Sequence, residues 1–172
     1  MRMISAAAGL AAIVAASCAL AQEYRATATL EPTKGNETSG MVTFVQRGDK
    51  VSVSVDARGL KANQEHGFHI HEKGDCSSGD GMSTGGHFNP DGSNHGHVQP
   101  GDTGHTGDMP NLKADSAGNA KATFELTKMT VADGKFSIVG KGLIVHRDPD
   151  DYKSQPTGNA GPRLACSVIK AG

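Results

Sequence analysis

Met41-Val42-Thr43-Phe44-Val45-Gln46-Arg47-Gly48-Asp49-Lys50-Val51-Ser52-Val53-Ser54-Val55 decides the fold class. Apolar and polar residues alternate through 41–45 and again through 51–55. That period of two belongs to a strand with one face in a core and the other in solvent. Arg47-Gly48-Asp49 supplies a short turn, so the runs Gly40 to Gln46 and Lys50 to Ala57 are expected to pair as a hairpin. Outward from this hairpin, strand-like runs recur at Arg25 to Leu30, Gly67 to His71, Ala120 to Leu126, Ser137 to Val139, Leu143 to His146 and Leu164 to Ile169. No segment carries a convincing helical period, a heptad or an internal repeat. The 23 glycines suit turns and long loops, and with no tryptophan the core must come from Val, Ile, Leu and Ala. The expected fold is all-β: an antiparallel eight-stranded Greek-key sandwich or flattened barrel, immunoglobulin-like, in one domain.

Two long loops interrupt the strands. Gly74 to Asn111 is rich in Gly, Asp, Ser, Asn, Pro and His and has no hydrophobic period, and Arg147 to Arg163 is similarly polar. A structureless stretch that long inside a compact domain needs a source of order other than an apolar core, and a metal can supply one. The net charge of -1 and the absence of any basic tract exclude nucleic acid as the main partner.

The N-terminus reads as a secretory leader over residues 1–21, with the mature domain over 22–172. Arg2 gives a positive start, Ile4 to Ala19 an apolar run, and Ala19-Leu20-Ala21 a small-residue cleavage site. The run is too short for a membrane span, so no stable membrane insertion is expected after cleavage. Ala15-Ala16-Ser17-Cys18 loosely matches a lipoprotein box, but the Ala19-Leu20-Ala21 site is the better match, so periplasmic export without anchoring through Cys18 is favoured. Once Cys18 departs with the leader, Cys76 and Cys166 remain as an even pair in an oxidising compartment. A disulfide between them would close a loop of about 90 residues and contribute about 4 kcal/mol on the chain-entropy view.

Six histidines and one aspartate complete the pattern: His69, His71, His87, His95, His105, His146 and Asp108. His69 and His71, two apart on a strand, project to one face. Imidazoles suit copper and zinc, and a carboxylate joining three histidines suits zinc, so there are ligands for two metals.

Four segments, in order and covering nearly the whole mature chain, resemble the copper/zinc superoxide dismutase family. They are His66-Gly67-Phe68-His69-Ile70-His71 with Gly74-Asp75-Cys76; Gly86-His87-Phe88-Asn89-Pro90; Gly140 to His146; and Gly158-Asn159-Ala160-Gly161-Pro162-Arg163-Leu164-Ala165-Cys166. With the export signal, the chain is similar to bacterial periplasmic members. The resemblance implies copper on His69, His71, His87 and His146, and zinc on His87, His95, His105 and Asp108, with His87 bridging. It implies that Arg163 orients the anionic substrate superoxide, that Asp150 hydrogen-bonds one histidine of each metal, and that His66 is a structural hydrogen-bonding residue. In the zinc loop His95-Gly96-His97 offers two candidates for one place; the spacing from His87 and the following glycine favour His95. The steering charges are left open among Lys73, Arg147, Asp150, Asp151 and Lys153. The implied activity is dismutation of superoxide to dioxygen and hydrogen peroxide. A periplasmic copper/zinc carrier or an inactive relative is the alternative, and a homodimer is the assembly the family admits.

Overall fold

In the computed structural model, residues 22–97 and 103–172 are described; the expected leader over 1–21, with Cys18 and the expected cleavage site, lies outside them. Ten strands form: β1 (Glu23–Pro32), β2 (Ser39–Arg47), β3 (Lys50–Arg58), β4 (Glu65–His66), β5 (Phe68–His71), β6 (Leu112–Lys113), β7 (Ala120–Leu126), β8 (Gly142–His146), β9 (Arg163–Val168) and β10 (Lys170–Ala171). Eight of them make one sheet in the order β5-β8-β9-β1-β2-β3-β7, with β10 on β1, while β4 and β6 pair separately. Every strand pair is antiparallel. The only helical element among the described residues is a single 3-10 turn at Met82–Thr84. The all-β expectation holds, as one curled sheet.

The alternating segment behaves as its period dictates. Val42 and Phe44 of β2 and Val51, Val53 and Val55 of β3 face the core, with partly or fully exposed residues between them. Arg47 pairs with Lys50, so the hairpin turn has two residues and not three. Gly48 takes φ 63 at its first position, where a left-handed residue matches the strand twist.

The same core also receives Phe68 and Ile70 from β5 and Leu143 and Val145 from β8, at the far end of the sheet. Only a curled sheet brings both ends onto one core. β5 and β8 are buried along their whole length, unlike β2 and β3. Their second face carries His69, His71, Ile144 and His146, and something other than the core must cover it.

The long loops do so. β5 is an edge strand, and its free backbone groups are taken up by loop segments. Ile70 N–H donates to the Gly107 carbonyl (2.9 Å), Phe88 N–H to the Ile70 carbonyl (2.8 Å) and Gly107 N–H to the Phe88 carbonyl (2.8 Å). Isolated bridges pair His71 with His87 and His69 with Asp108. A Cβ at position 107 would overlap the Ile70 carbonyl oxygen and lie 3.0 Å from Phe88 N, so this seam requires glycine.

One expected strand does not form. Ser137 makes only an isolated parallel bridge to Thr130, and its N–H turns back to the Gly134 carbonyl (3.0 Å). The apolar signal at 137–139 comes from Ile138, which is fully buried as a plug for the loop. The short β4, β6 and β10 have too few residues to show a period.

Cys76 and Cys166 form a disulfide across 90 residues, tying the first long loop to β9. Replacing both cysteines by serine is expected to remove about 4 kcal/mol of unfolding free energy. Urea denaturation of the metal-free protein checks this, and an unchanged midpoint would contradict it.

Candidate metal centre

Two four-residue sets lie side by side on the covered face of β5 and β8. His69, His71, His87 and His146 form one, and His87, His95, His105 and Asp108 the other; within each, the ligand atoms lie within 4.8 Å of one another. All seven residues are buried.

The first set is built on strands. His69 and His71 share the outer face of β5, and His146 ends β8 on the same side, its N–H bonded to the Gly67 carbonyl (2.8 Å). His87 arrives from the loop through its bridge to His71. Each strand histidine has one ring nitrogen occupied by an acceptor. His71 Nδ1 donates to the Gly85 carbonyl (2.8 Å), His146 Nδ1 to the Gly161 carbonyl (3.1 Å), and His69 Nε2 to Asp150 Oδ2 (2.8 Å). Carbonyls and ionised carboxylates only accept, so these nitrogens carry the protons and the opposite ones carry lone pairs. Those opposite atoms are His69 Nδ1, His71 Nε2 and His146 Nε2; with His87 Nε2 they are buried without a hydrogen-bond partner. Buried polar atoms are rarely left unpaired, and four facing one another fit a soft-to-borderline cation with nitrogen ligands.

The second set is built on loops. His87 Nδ1 lies 2.8 Å from Asp108 Oδ1, His95 Nδ1 3.0 Å and His105 Nδ1 3.4 Å from the same oxygen, and His105 Nδ1 3.4 Å from His87 Nδ1. His95 Nδ1, despite its 3.0 Å approach, makes no hydrogen bond of acceptable geometry. That combination describes ligand atoms sharing a target, and four ligands tetrahedral about zinc stand about 3.3 Å apart. The other Asp108 oxygen accepts the N–H groups of His105 (2.8 Å) and Gly96 (3.2 Å), which fixes the carboxylate plane. Three nitrogens and one oxygen suit zinc.

Asp150 joins the sets. Oδ2 accepts from His69 and Oδ1 from His95 Nε2 (2.9 Å). Neighbouring Asp151 instead holds its own loop, accepting from Lys153, Ser154 and Asn159. Gly158 at φ 64 packs where a Cβ would overlap Asp150 Oδ1, so the carboxylate needs glycine beneath it. Sequence reasoning missed what holds Asp150. Asn111 exchanges two hydrogen bonds with its backbone (3.0 Å each), and Tyr152 Oη accepts the Asn111 N–H (2.7 Å). It also missed Gln155, whose amide bonds the backbone of His95. These are single polar residues in loops without pattern, and only the fold pairs them. His97 stays exposed with its ring 4.5 Å from that of Tyr152, outside the metal sets. His66 is fully buried, with Nδ1 2.9 Å from the His146 carbonyl.

Arg163 opens β9, opposite His146. Its Nη1 donates to the Gly81 carbonyl (2.5 Å) and Thr84 Oγ1 (2.6 Å), and Nη2 to the Gly85 carbonyl (2.7 Å). Half-burial lowers its pKa, with Asp80 acting in the opposite direction.

The titrations follow from burial. Burial lowers His87 to about 4, only partly offset by Asp108. Burial, then the neighbouring histidines, hold His71 and His146 well below the usual range. For His95 burial also acts downward, but Asp108 and Asp150 outweigh it and raise it to about 9. Burial alone would raise Asp108 and Asp150; their histidine partners hold both below the ordinary carboxylate range.

A family model described as copper/zinc superoxide dismutase matches residues 38–169. "Superoxide dismutase [Cu-Zn] 2" of Aquifex aeolicus is 40% identical over 158 residues, covering 90% of this chain and 91% of that protein. "Extracellular superoxide dismutase [Cu-Zn]" of Drosophila melanogaster is 43% identical over 141 residues, covering 77% and 76%. Among solved structures, the clock protein EA4 matches with a TM-score of 0.75 at 40% identity, covering 85% of this chain and 93% of that one.

Two outcomes are expected. His95→Gln should lose one equivalent of zinc, whereas His97→Gln should keep it, as read by metal analysis after dialysis. In the metal-free protein, stability should fall as pH drops from about 6.5 towards 4. His71, His87 and His146 resist protons in the fold but take them up near 6.5 when unfolded. His95 acts oppositely, its contribution being complete below about 6.5 and lost as pH rises through about 9. Chemical denaturation across pH checks both limbs.

Proposed function

The chain belongs to the copper/zinc superoxide dismutase family, and from that premise we propose how its own residues divide the work of superoxide dismutation. It is an oxidoreductase that turns two superoxide anions and two protons into one dioxygen and one hydrogen peroxide, with copper and zinc as cofactors. The observation that carries the residue assignment is the convergence of buried, unpartnered nitrogens beside a carboxylate-centred set. Copper would be held by His69 Nδ1 and by Nε2 of His71, His87 and His146. Zinc would be held by Nδ1 of His87, His95 and His105 and by Asp108 Oδ1.

When bound, copper supplies the one-electron redox chemistry, while zinc has no redox role. The chain supplies the rest. Arg163 attracts and orients the anion through a guanidinium that is always charged and fixed by three acceptors. His87 presents Nε2 to one set and Nδ1 to the other, so Nε2 is the atom that holds a proton and delivers it to the developing peroxide. Asp150 keeps the rings of His69 and His95 in the tautomers that leave Nδ1 free on each. Loop burial of all seven ligands excludes bulk water from the far side of the centre.

Export to the periplasm is the proposed location, with residues 1–21 as leader. The Cys76–Cys166 bridge suits an oxidising compartment. No helix among the described residues is long and apolar enough to cross a membrane.

Arg163→Gln should slow superoxide decay in stopped flow by about tenfold or more, with the loss shrinking at high ionic strength. Copper and zinc content should be unchanged. Undiminished decay, or loss of copper from the variant, would remove Arg163 from this role.

A further inference from the structure

We propose that Gln155 is a positioning residue for zinc, acting on the backbone of His95. The inference rests on the reading of His95 as a zinc ligand. His95 lies in a loop without regular structure, and its ring is held at Nε2 by Asp150. The ring contacts and the Gly96 N–H on Asp108 Oδ2 (3.2 Å) leave the His95 N–H and carbonyl themselves unheld, so its backbone can still tilt. Gln155, 60 residues later, closes that freedom. Its Oε1 accepts the His95 N–H (2.9 Å) and its Nε2 donates to the His95 carbonyl (2.8 Å). One side-chain amide thus makes both backbone hydrogen bonds of one residue, as a neighbouring strand would in a narrow antiparallel pair.

This bracket is directed at one metal. His69, His71 and His146 take their places from the β5–β8 ladder and its Gly67 connection. His95 has no such ladder, and no backbone–backbone hydrogen bond of its own among the described residues. Without Gln155, the His95 N–H and carbonyl would need water in a partly buried place. The position of Nδ1, which must meet Asp108 Oδ1 and His87 Nδ1 at a common point, would then be less fixed. Gln155 itself is exposed, so its replacement leaves the core intact and separates zinc retention from folding. Ser154, beside it, bonds only within its own loop through Asp151, Asn159 and Gly158, so it reports general loosening of that loop.

The test uses the full chain loaded with copper and zinc, and a second preparation with cobalt(II) in the zinc site. Gln155→Met keeps length and flexibility and removes both hydrogen bonds. It should release zinc to a colorimetric chelator about tenfold faster than wild type, at the low end for outer partners of metal ligands. Its cobalt absorption bands should shift and its copper content should stay the same. Ser154→Ala should release zinc at the wild-type rate. Zinc release from Gln155→Met at the wild-type rate, or equal acceleration in Ser154→Ala, would overturn the positioning role. A wild-type chain that takes up no zinc would overturn the assignment of the zinc set itself, and this inference with it.

Discussion

Everything at the metal centre depends on a four-residue strand that is buried on both faces. Phe68 and Ile70 of β5 belong to the apolar core, so the alternation of the strand commits His69 and His71 to the opposite side. Two imidazoles on an uncovered edge strand would be solvated and mobile. Here the Ile70 amide and carbonyl each take a loop partner, and the two bridges made by this seam set His87 beside His71 and Asp108 beside His69. The seam therefore covers the second face and delivers the remaining ligands in one arrangement.

That arrangement is costly without a cation. Nitrogen lone pairs face one another out of water, and carboxylates are buried beside them. A bound metal removes both penalties, so its binding free energy becomes ordering free energy for the loops. The two sites differ in how much they need it. The first set is carried mainly by strands that the core would hold in any case. The second is carried by loops, which are tied near the ligands by the β5 seam, Asp150, the Asn111 clasp and Gln155.

The sequence was legible where a period or a dense motif exists. Alternation in 41–55 gives the hairpin, and the His-x-His spacing gives two ligands on one face. It was misleading at Ser137 to Val139, because a buried Ile138 in a loop has the same local composition as a strand centre. Nothing local marks Asn111, Tyr152 or Gln155. Each acts through one hydrogen-bonding group on a residue 39 to 60 positions away, and such pairings have no one-dimensional signature. The choice between His95 and His97 is of the same kind. Both flank Gly96, and it is the Asp150 carboxylate arriving from the second loop that meets His95 while His97 packs on Tyr152.

The placing of Arg163 shows why the disulfide and the centre belong to one design. Arginine in solution would explore many rotamers, and an anion site needs one. The Gly81 and Gly85 carbonyls and the Thr84 hydroxyl hold the guanidinium, and all three come from the loop that Cys76 ties to β9. Arg163 itself lies three residues before Cys166 on that strand. Cation and acceptors are thus fixed to one another from both ends of the loop. The Gly85 carbonyl also accepts from His71 Nδ1, so one oxygen sets both the tautomer of a histidine in the first set and the position of the guanidinium proposed to draw the anion. The loop that carries this oxygen thus joins β5, which holds His71, to β9, which holds Arg163.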